Sequence, residues 1–549
     1  MYRYLIIFWT FLFLQNTQTV NAQISSEQVY KFNRVMDLIS MFYVDTTAEQ
    51  ALVEKAIISV LKELDPHSIY ISKDKVKEMN QPLTGSFEGI GITFNIFKDT
   101  LYVVRTYPGG PAEKAGLQAG DRIVRVEKEL IAGTGIDSEK IKKLLLGEKG
   151  TKVKVSVKRK TYKNILAYTI TRDKIPVNSI DATYLAEKNI AYIKLGKFSA
   201  TTVKEFDKAV KKFKKAGTDK IILDLRNNGG GYLRTAINIT DEFLPADKLI
   251  VYTEGVSVPR SDYFSSSKGK LEKDKLIILI NEGTASASEI VTGAIQDWDR
   301  GVIIGRRSYG KGLVQRPFNL IDGSMIRLTI ARYYTPTGRL IQKSYANGYD
   351  SYSKDIKNRI NHGELISRDS IHFIDSLKYL TLNKKRTVYG GGGIMPDIFI
   401  AADTTSIPDF YNKLLHNGKI NKFILAYIDD NRTNIMSEYP EMDVFIENFN
   451  VDYEILHELL KFAVIEELDN PESKKLIQSL KPKKTKENMS FQVFEGKEEL
   501  IKQQLKALIA RDIWGDEAFF KIINKQDATY LKAVEVFNNK KLYKSILEK

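Results

Sequence analysis

The chain contains no cysteine. Disulfides, thiolate metal sites and a lipid-modified amino-terminal cysteine are therefore excluded. Histidine is scarce, with five in 549 residues. The amino-terminal apolar run Leu5 to Leu14 is too short for a comfortable membrane span. The formal charge is +15, yet zinc-finger spacings and RNP-type aromatic motifs are absent. The lysines are scattered, so the charge is read as solvated basic faces and no nucleic-acid partner is expected.

What is present is an ordinary globular composition, 43% hydrophobic and 28% charged, on a length that suggests roughly three or four domains. Arg3, the Leu5–Leu14 run and Val20-Asn21-Ala22 read together as a signal peptide over residues 1–22, cut after Ala22. Its removal leaves no transmembrane span. An exported, cysteine-free protein suits a periplasm, with envelope association or secretion as variants.

Residues 23–84 read as a helical region: Val29, Phe32, Val35, Met36, Ile39 and Phe42 recur at helical spacing, as do residues within Ala51 to Leu64. Asp65-Pro66-His67-Ser68 breaks the pattern, and His67 is taken as a structural turn histidine. Residues 85–165 change to short strands and turns, and Pro111-Ala112-Glu113-Lys114-Ala115-Gly116-Leu117-Gln118-Ala119-Gly120-Asp121 makes the stretch resemble a PDZ domain. In such a module the amides of Gly89, Ile90, Gly91 and Ile92 receive a peptide's terminal carboxylate, and the peptide adds as a strand. Relatives often carry arginine just before the late Gly-x-x-Gly turn; here Leu146 precedes Gly147.

Over 166–402 strands alternate with helices, which implies a largely parallel sheet covered by helices. A polar insertion interrupts it at 343–388. Residues 403–549 are helix-like and lysine-rich, a region open to self-association or an adaptor contact.

The chemistry concentrates where Ser286-Ala287-Ser288-Glu289 follows the apolar run Leu276 to Ile280. Ser-x-x-Glu is an ordinary helix start, but sites in open parallel sheets lie at the carboxyl ends of strands. There the helix amino terminus favours anions, which makes Ala287 N–H an oxyanion donor for an attack by Ser286. The loop Asp224 to Gly231, with three glycines, emerges at the same edge and can supply a second donor. With no histidine close in sequence, the base is Lys311, flanked by Gly310 and Gly312; Gln315 can hold its amine without adding charge. Asp297 lies on the Ser286 face of the helix but about 16 Å along it, which leaves it a supporting candidate paired with an arginine. Thr284 and Ser288 are secondary nucleophile candidates.

Leu64 to Ser68, the PDZ module, Asp224 to Asn228, Ser286 to Glu289, Gly310 to Gln315, Tyr333 to Arg339 and Gly391 to Asp397 together resemble the carboxyl-terminal processing, or tail-specific, protease family across roughly residues 30–400. The resemblance implies a multidomain α/β protein: a ClpP/crotonase-like βαβ protease core, an inserted PDZ domain, and helical amino- and carboxyl-terminal regions. It implies a Ser286–Lys311 dyad assisted by Gln315, oxyanion amides at Gly230 and Ala287, and no metal or other cofactor. Relatives usually have proline before the glycine pair, where this chain has Gly229. The expected function is an exported serine endopeptidase that captures apolar carboxyl tails of proteins. An inactive PDZ scaffold and a crotonase-like acyl-transfer enzyme are the rivals.

Overall fold

The computed structural model describes residues 25–548 apart from 98, 161, 188, 373, 404–407, 466–482 and 485–488. The expected signal peptide lies outside the described residues. The chain divides into two compact units, residues 1–64 and 65–549. In the first, helices Ser26–Phe42 and Glu49–Leu64 follow the expected periodicity, and the Ser25 hydroxyl accepts from Gln28 N at 3.4 Å. The second unit takes the remainder of the stretch expected to be helical: Ile69–Ile71 is a strand and only Lys73–Thr84 is a helix.

The PDZ module is an antiparallel sheet in which Ile92–Phe97 is the edge strand, paired among the described residues only with Thr100–Thr106. Apolar residues on alternating strand positions, among them Val103, Ile123, Val155 and Ile170, close its core with Ala112, Leu117 and Ile141. The sheet runs past the expected boundary at 165. Leu166–Thr171 pairs along Lys152–Lys158, because Ile170 is needed inside the core. Asp173–Pro176 then pairs with Ser86–Gly89, so the entering and leaving strands zip together.

The βαβ region expected over 166–402 holds a six-stranded sheet in the order Ile180–Glu187, Ile190–Leu195, Lys220–Asp224, Lys275–Ile280, Val302–Gly305, Ile398–Phe399. Its first pair is antiparallel and the other four pairings are parallel. A parallel sheet must be covered on both faces, which is why its strands read as unbroken apolar runs. Alternate residues divide the two faces. Ile221, Leu223, Leu276, Ile278 and Ile303 pack under helices Thr202–Lys215, Leu233–Asp241 and Ala287–Asp297. Ile222, Ile277, Leu279, Val302 and Ile304 face the opposite way, onto Tyr530, Ala533, Val536, Phe537, Tyr543 and Ile546.

That second cover comes from the last two helices, Ala528–Asn538 and Lys540–Glu548. The carboxyl-terminal segment expected to be a separate region from residue 403 therefore ends as part of the core. Its earlier helices form their own cluster around Phe423, Ile428, Phe445 and Leu459 and touch the PDZ module. Leu425 packs on Tyr102 and Val104, and Arg122 Nη2 donates to Asp429 at 2.6 Å.

A second sheet, antiparallel, lies outside the βαβ alternation expected over 166–402. Met325–Tyr334 is flanked by Ile69–Ile71, Leu249–Gly255 and Leu313–Asn319, with Val258–Phe264 beyond. The insertion at 343–388 is a small helical excursion, Gly348–Ser353 and Asp355–Asn361, followed by a short hairpin. Among the described residues no helix is long and apolar enough to cross a membrane, and no cluster of acidic or histidine side chains could hold a metal ion.

If the last helices complete the core, Phe537→Ala should destabilise the whole chain by about 3–5 kcal/mol in chemical denaturation. A loss below about 1 kcal/mol would mean that they only rest on the sheet.

Candidate active site

Strands Lys220–Asp224 and Lys275–Ile280 pair in parallel, so the loops that follow them leave the same sheet edge. The second loop turns through Asn281 to Ala285, stitched by Thr284 Oγ1, which donates to Leu225 O at 2.9 Å. Ser286 then adopts φ 58° and ψ −117°, a sparsely populated conformation for a residue with a Cβ. Such strain at a strand-to-helix turn is held by its surroundings and presents a nucleophile outward. Thr284 and Ser288 are fully buried, and Ser288 Oγ donates to Asn228 O at 2.9 Å. Both are structural, which removes them as nucleophiles.

What holds the turn is Glu289. Its carboxylate is completely buried and accepts from Ser286 N at 2.8 Å, Lys311 N at 2.9 Å, Gly310 N at 2.7 Å and Ser308 Oγ at 2.5 Å. Burial raises its pKa, and these hydrogen bonds oppose the rise. The Tyr333 hydroxyl, also buried, lies 3.0 Å from Ser286 O and 2.8 Å from Lys311 O and so has both within donating range. The two segments expected to carry nucleophile and base are thus fastened together through their backbones. The glycines beside Lys311 are required there: a Cβ on Gly310 would stand 2.9 Å from Gly393 N, and one on Gly312 2.9 Å from Gln342 N.

Lys311 Nζ donates to Gln315 Oε1 at 3.0 Å, and Gln315 Nε2 donates in turn to His67 O. That carbonyl is fixed because Asp65 accepts from His67 N (2.8 Å) and Ser68 N (2.9 Å), while Thr329, opposite Gln315 in the sheet, bonds to the same turn. His67 is structural as expected, and its main chain aligns the amide that aligns the lysine. Burial, and secondarily the Lys311 charge, lowers the imidazole pKa to about 4. Lys311 itself is pushed down by burial and then by the Arg327 charge, with Asp65 and Glu289 pulling the other way.

Ser286, Lys311, Gln315, Gly230 and Ala287 line one cleft of about 1100 Å³, with apolar walls from Leu233 and Ile290. Lys311 Nζ is bonded to Gln315 rather than to Ser286 Oγ. Ala287 N makes no hydrogen bond among the described residues, as an oxyanion donor requires. Gly230 is pressed against Ser286, since an added Cβ would lie 2.8 Å from Ser286 Cβ and 2.9 Å from Ala287 N. Its amide, however, donates to Asn228 Oδ1 at 2.9 Å, so in this conformation the second expected donor is occupied. A Cβ at Gly229 would meet nothing within 4 Å; glycine is not sterically demanded there. Asp297 does not join the site. It pairs with buried Arg339 and accepts from Thr337 N at 3.0 Å, pinning the Thr335–Arg339 turn.

On the PDZ module, Ile90 O and Gly91 O accept from Ala112 N (2.8 Å) and Tyr107 N (3.0 Å). The first bond ties the Gly89–Ile92 loop to the helix Pro111–Ala115 and the second to the end of the strand Thr100–Thr106. The edge of Ile92–Phe97 beside it is open to an added strand.

Comparison with known proteins bears on this geometry. The peptidase family S41 model matches residues 189–349 and the PDZ domain model residues 102–159. A carboxy-terminal-processing protease of Bartonella bacilliformis is 38% identical over 333 residues, 60% of this chain and 76% of that protein. The chain belongs to the carboxy-terminal processing proteases. The carboxy-terminal processing protease CtpA of Bacillus subtilis is 33% identical over 324 residues, 59% of this chain and 68% of its own length. The photosystem II D1 C-terminal processing protease is 28% identical in structural alignment, covering 58% of this chain and 91% of its own, with a TM-score of 0.33. Residues 410–515 match a family of unknown function. As a family member the chain is a multidomain α/β peptidase carrying a PDZ domain. Sequence reasoning took Glu289 only for a helix cap and passed over Asn228 and Tyr333; the Ser-x-x-Glu spacing was the available signal for Glu289.

Glu289→Gln puts an NH₂ among four donors. It should cost about 3 kcal/mol of stability and at least about 100-fold in kcat/KM; unchanged activity in steady-state kinetics would contradict the clamp. Because Lys311 is shifted down, kcat/KM should rise with pH as its amine deprotonates, on a limb below the ordinary lysine pKa of about 10.4. Arg327→Gln removes a repelling charge, so the pH–rate profile should move that limb upward.

Proposed function

We propose that this protease is an exported serine endopeptidase that cuts protein chains whose apolar carboxyl tails dock on its PDZ module. The parallel sheet with its helices is read as a ClpP/crotonase-like core. Export to the periplasm is inferred from the amino-terminal sequence, and no metal or nucleotide enters the scheme.

Neutral Lys311 takes the Ser286 Oγ proton as the oxygen attacks the peptide carbonyl carbon. The carbonyl oxygen becomes an oxyanion facing Ala287 N–H, at the amino end of the helix Ala287–Asp297, where the helix dipole favours it. Gly230 N–H joins once it leaves Asn228. The Lys311 ammonium then protonates the departing amine, the C–N bond breaks, and an ester on Ser286 remains. Lys311 next deprotonates a water, which attacks the ester carbon; as the bond to Ser286 Oγ breaks, the Lys311 ammonium returns the proton to that oxygen, releasing the acid and restoring both residues. Gln315 keeps the amine aimed throughout without contributing a charge that would raise its pKa. Hydrogen bonds of catalytic groups often tighten only with substrate bound, which accommodates a Lys311 amine that rests on Gln315.

The observation that carries this reading is a desolvated lysine amine, aligned by Gln315, in the same cleft as a serine strained at a helix amino terminus. Ser286→Ala and Lys311→Ala should each lower cleavage of a tail-bearing protein by at least about 10³-fold, leaving the circular dichroism spectrum unchanged. Wild type should also react with a fluorophosphonate at Ser286. Normal cleavage by either variant would discard the dyad.

A further inference from the structure

The loop that carries Gly230 is anchored at its start by one guanidinium between two carboxylates. Arg226 Nη2 donates to Asp224 Oδ2 at 2.6 Å and Nε reaches both Asp224 oxygens at 3.1 Å. Asp224 is fully buried, also accepts from Tyr192 OH at 2.7 Å, and is held below the usual carboxylate range: burial pushes it up, but Arg226 and Lys194 pull it further down. On the other side Arg226 Nη1 lies 2.8 Å from both oxygens of Asp527. Asp527 belongs to the carboxyl-terminal region, 301 positions away, and also caps the helix Ala528–Asn538 by accepting from Tyr530 N at 2.7 Å. Downstream of Arg226, Asn227 is bonded to Asn281, and Asn228 to Leu195 O and Ala285 N. Gly229 has open space around it, whereas Gly230, at φ 99°, has its carbonyl held by Phe198 N at 2.9 Å, which leaves the peptide between the two as the part of the loop whose N–H can turn.

We propose that Asp527 is a positioning residue of the peptidase site. Through Arg226 it holds the base of the loop rigid, so that the change releasing Gly230 N–H from Asn228 Oδ1 toward the cleft is confined to Gly229 and Gly230. This rests on the reading of Gly230 and Ala287 as oxyanion donors. Donors serve catalysis only when fixed before charge develops, and a loop hinged further back would present Gly230 in many orientations. The carboxyl-terminal region, besides covering the sheet, thereby reaches into catalysis from behind the site.

Two substitutions separate this role from structure. Asp527→Asn keeps the helix cap, since asparagine caps as well as aspartate, but removes the negative charge that faces Arg226. Asp527→Glu keeps the charge and weakens the cap. The full-length proteins are compared for kcat, KM, thermal midpoint and inhibition by a peptide aldehyde, whose Ser286 adduct carries the oxyanion. The expected result for Asp527→Asn is kcat and aldehyde affinity each down about tenfold, with KM within about twofold, and recovery in Asp527→Glu. Wild-type kcat in Asp527→Asn, or losses in both variants that follow the thermal midpoint instead of the charge, overturns the proposal. Absence of Ser286-dependent cleavage in the wild type would instead sink the peptidase reading on which it stands.

Discussion

The structure depends on one buried carboxylate. Glu289 collects hydrogen bonds from the backbone of Ser286, the backbone of Gly310 and Lys311, and the hydroxyl of Ser308. An ionised carboxylate taken from water costs several kcal/mol unless donors replace its hydration, and here four donors converge on two oxygens. Ser308 Oγ accepts from Ile394 N at 2.6 Å, which directs its own proton to Glu289. Burial lifts the pKa of Glu289, but the donor set accommodates only the charged form. The same bonds hold Ser286 at its positive φ and keep the Lys311 segment beside it. The clamp adds to a register already set by the parallel pairing of Lys275–Ile280 with Val302–Gly305 and by Tyr309 N, which donates to Thr284 O at 2.9 Å.

Around the clamp, each further layer fixes the one inside it. Asp65 shapes the turn whose carbonyl orients Gln315, and Gln315 orients the lysine amine. Asn228 binds the turn before Ser286 through Ala285 N and Ser288 Oγ. The sheet beneath is rigid because both faces are packed, one by the core helices and the other by the final two helices of the chain. At rest the Lys311 amine is bonded to Gln315 and the Gly230 amide to Asn228; under the proposed mechanism substrate draws both toward Ser286.

Much of this was legible in the sequence because its causes are local. The run Leu276 to Ile280 must be a doubly covered strand, Ser286-x-x-Glu289 must start a helix, and a glycine-flanked lysine after a strand stands out against a chain with few histidines. Periodicity likewise located helices Ser26–Phe42 and Glu49–Leu64. What stayed hidden depends on contacts distant in sequence. A backbone carbonyl 248 positions from Gln315 leaves no signature in residue type, since any residue at 67 carries one. The antiparallel sheet is assembled from segments near 70, 250, 315 and 330, with no short hairpin to announce it except at 313–334 and 249–264. The final helices look like any amphipathic pair until the uncovered face of the parallel sheet supplies their partner. The departure at Gly229 was visible, but its consequence was not, because that is set by the empty space around it.

The proposed mechanism needs the clamp to hold Lys311 dry enough to work as an uncharged base. The most direct measurement is a titration of the Lys311 side-chain nitrogen by NMR in the Ser286→Ala protein, with Lys311→Arg to assign the resonance. The expected result is a pKa clearly below that of an ordinary lysine. A value at or above the ordinary range, with the amine charged throughout the pH interval of activity, would contradict it.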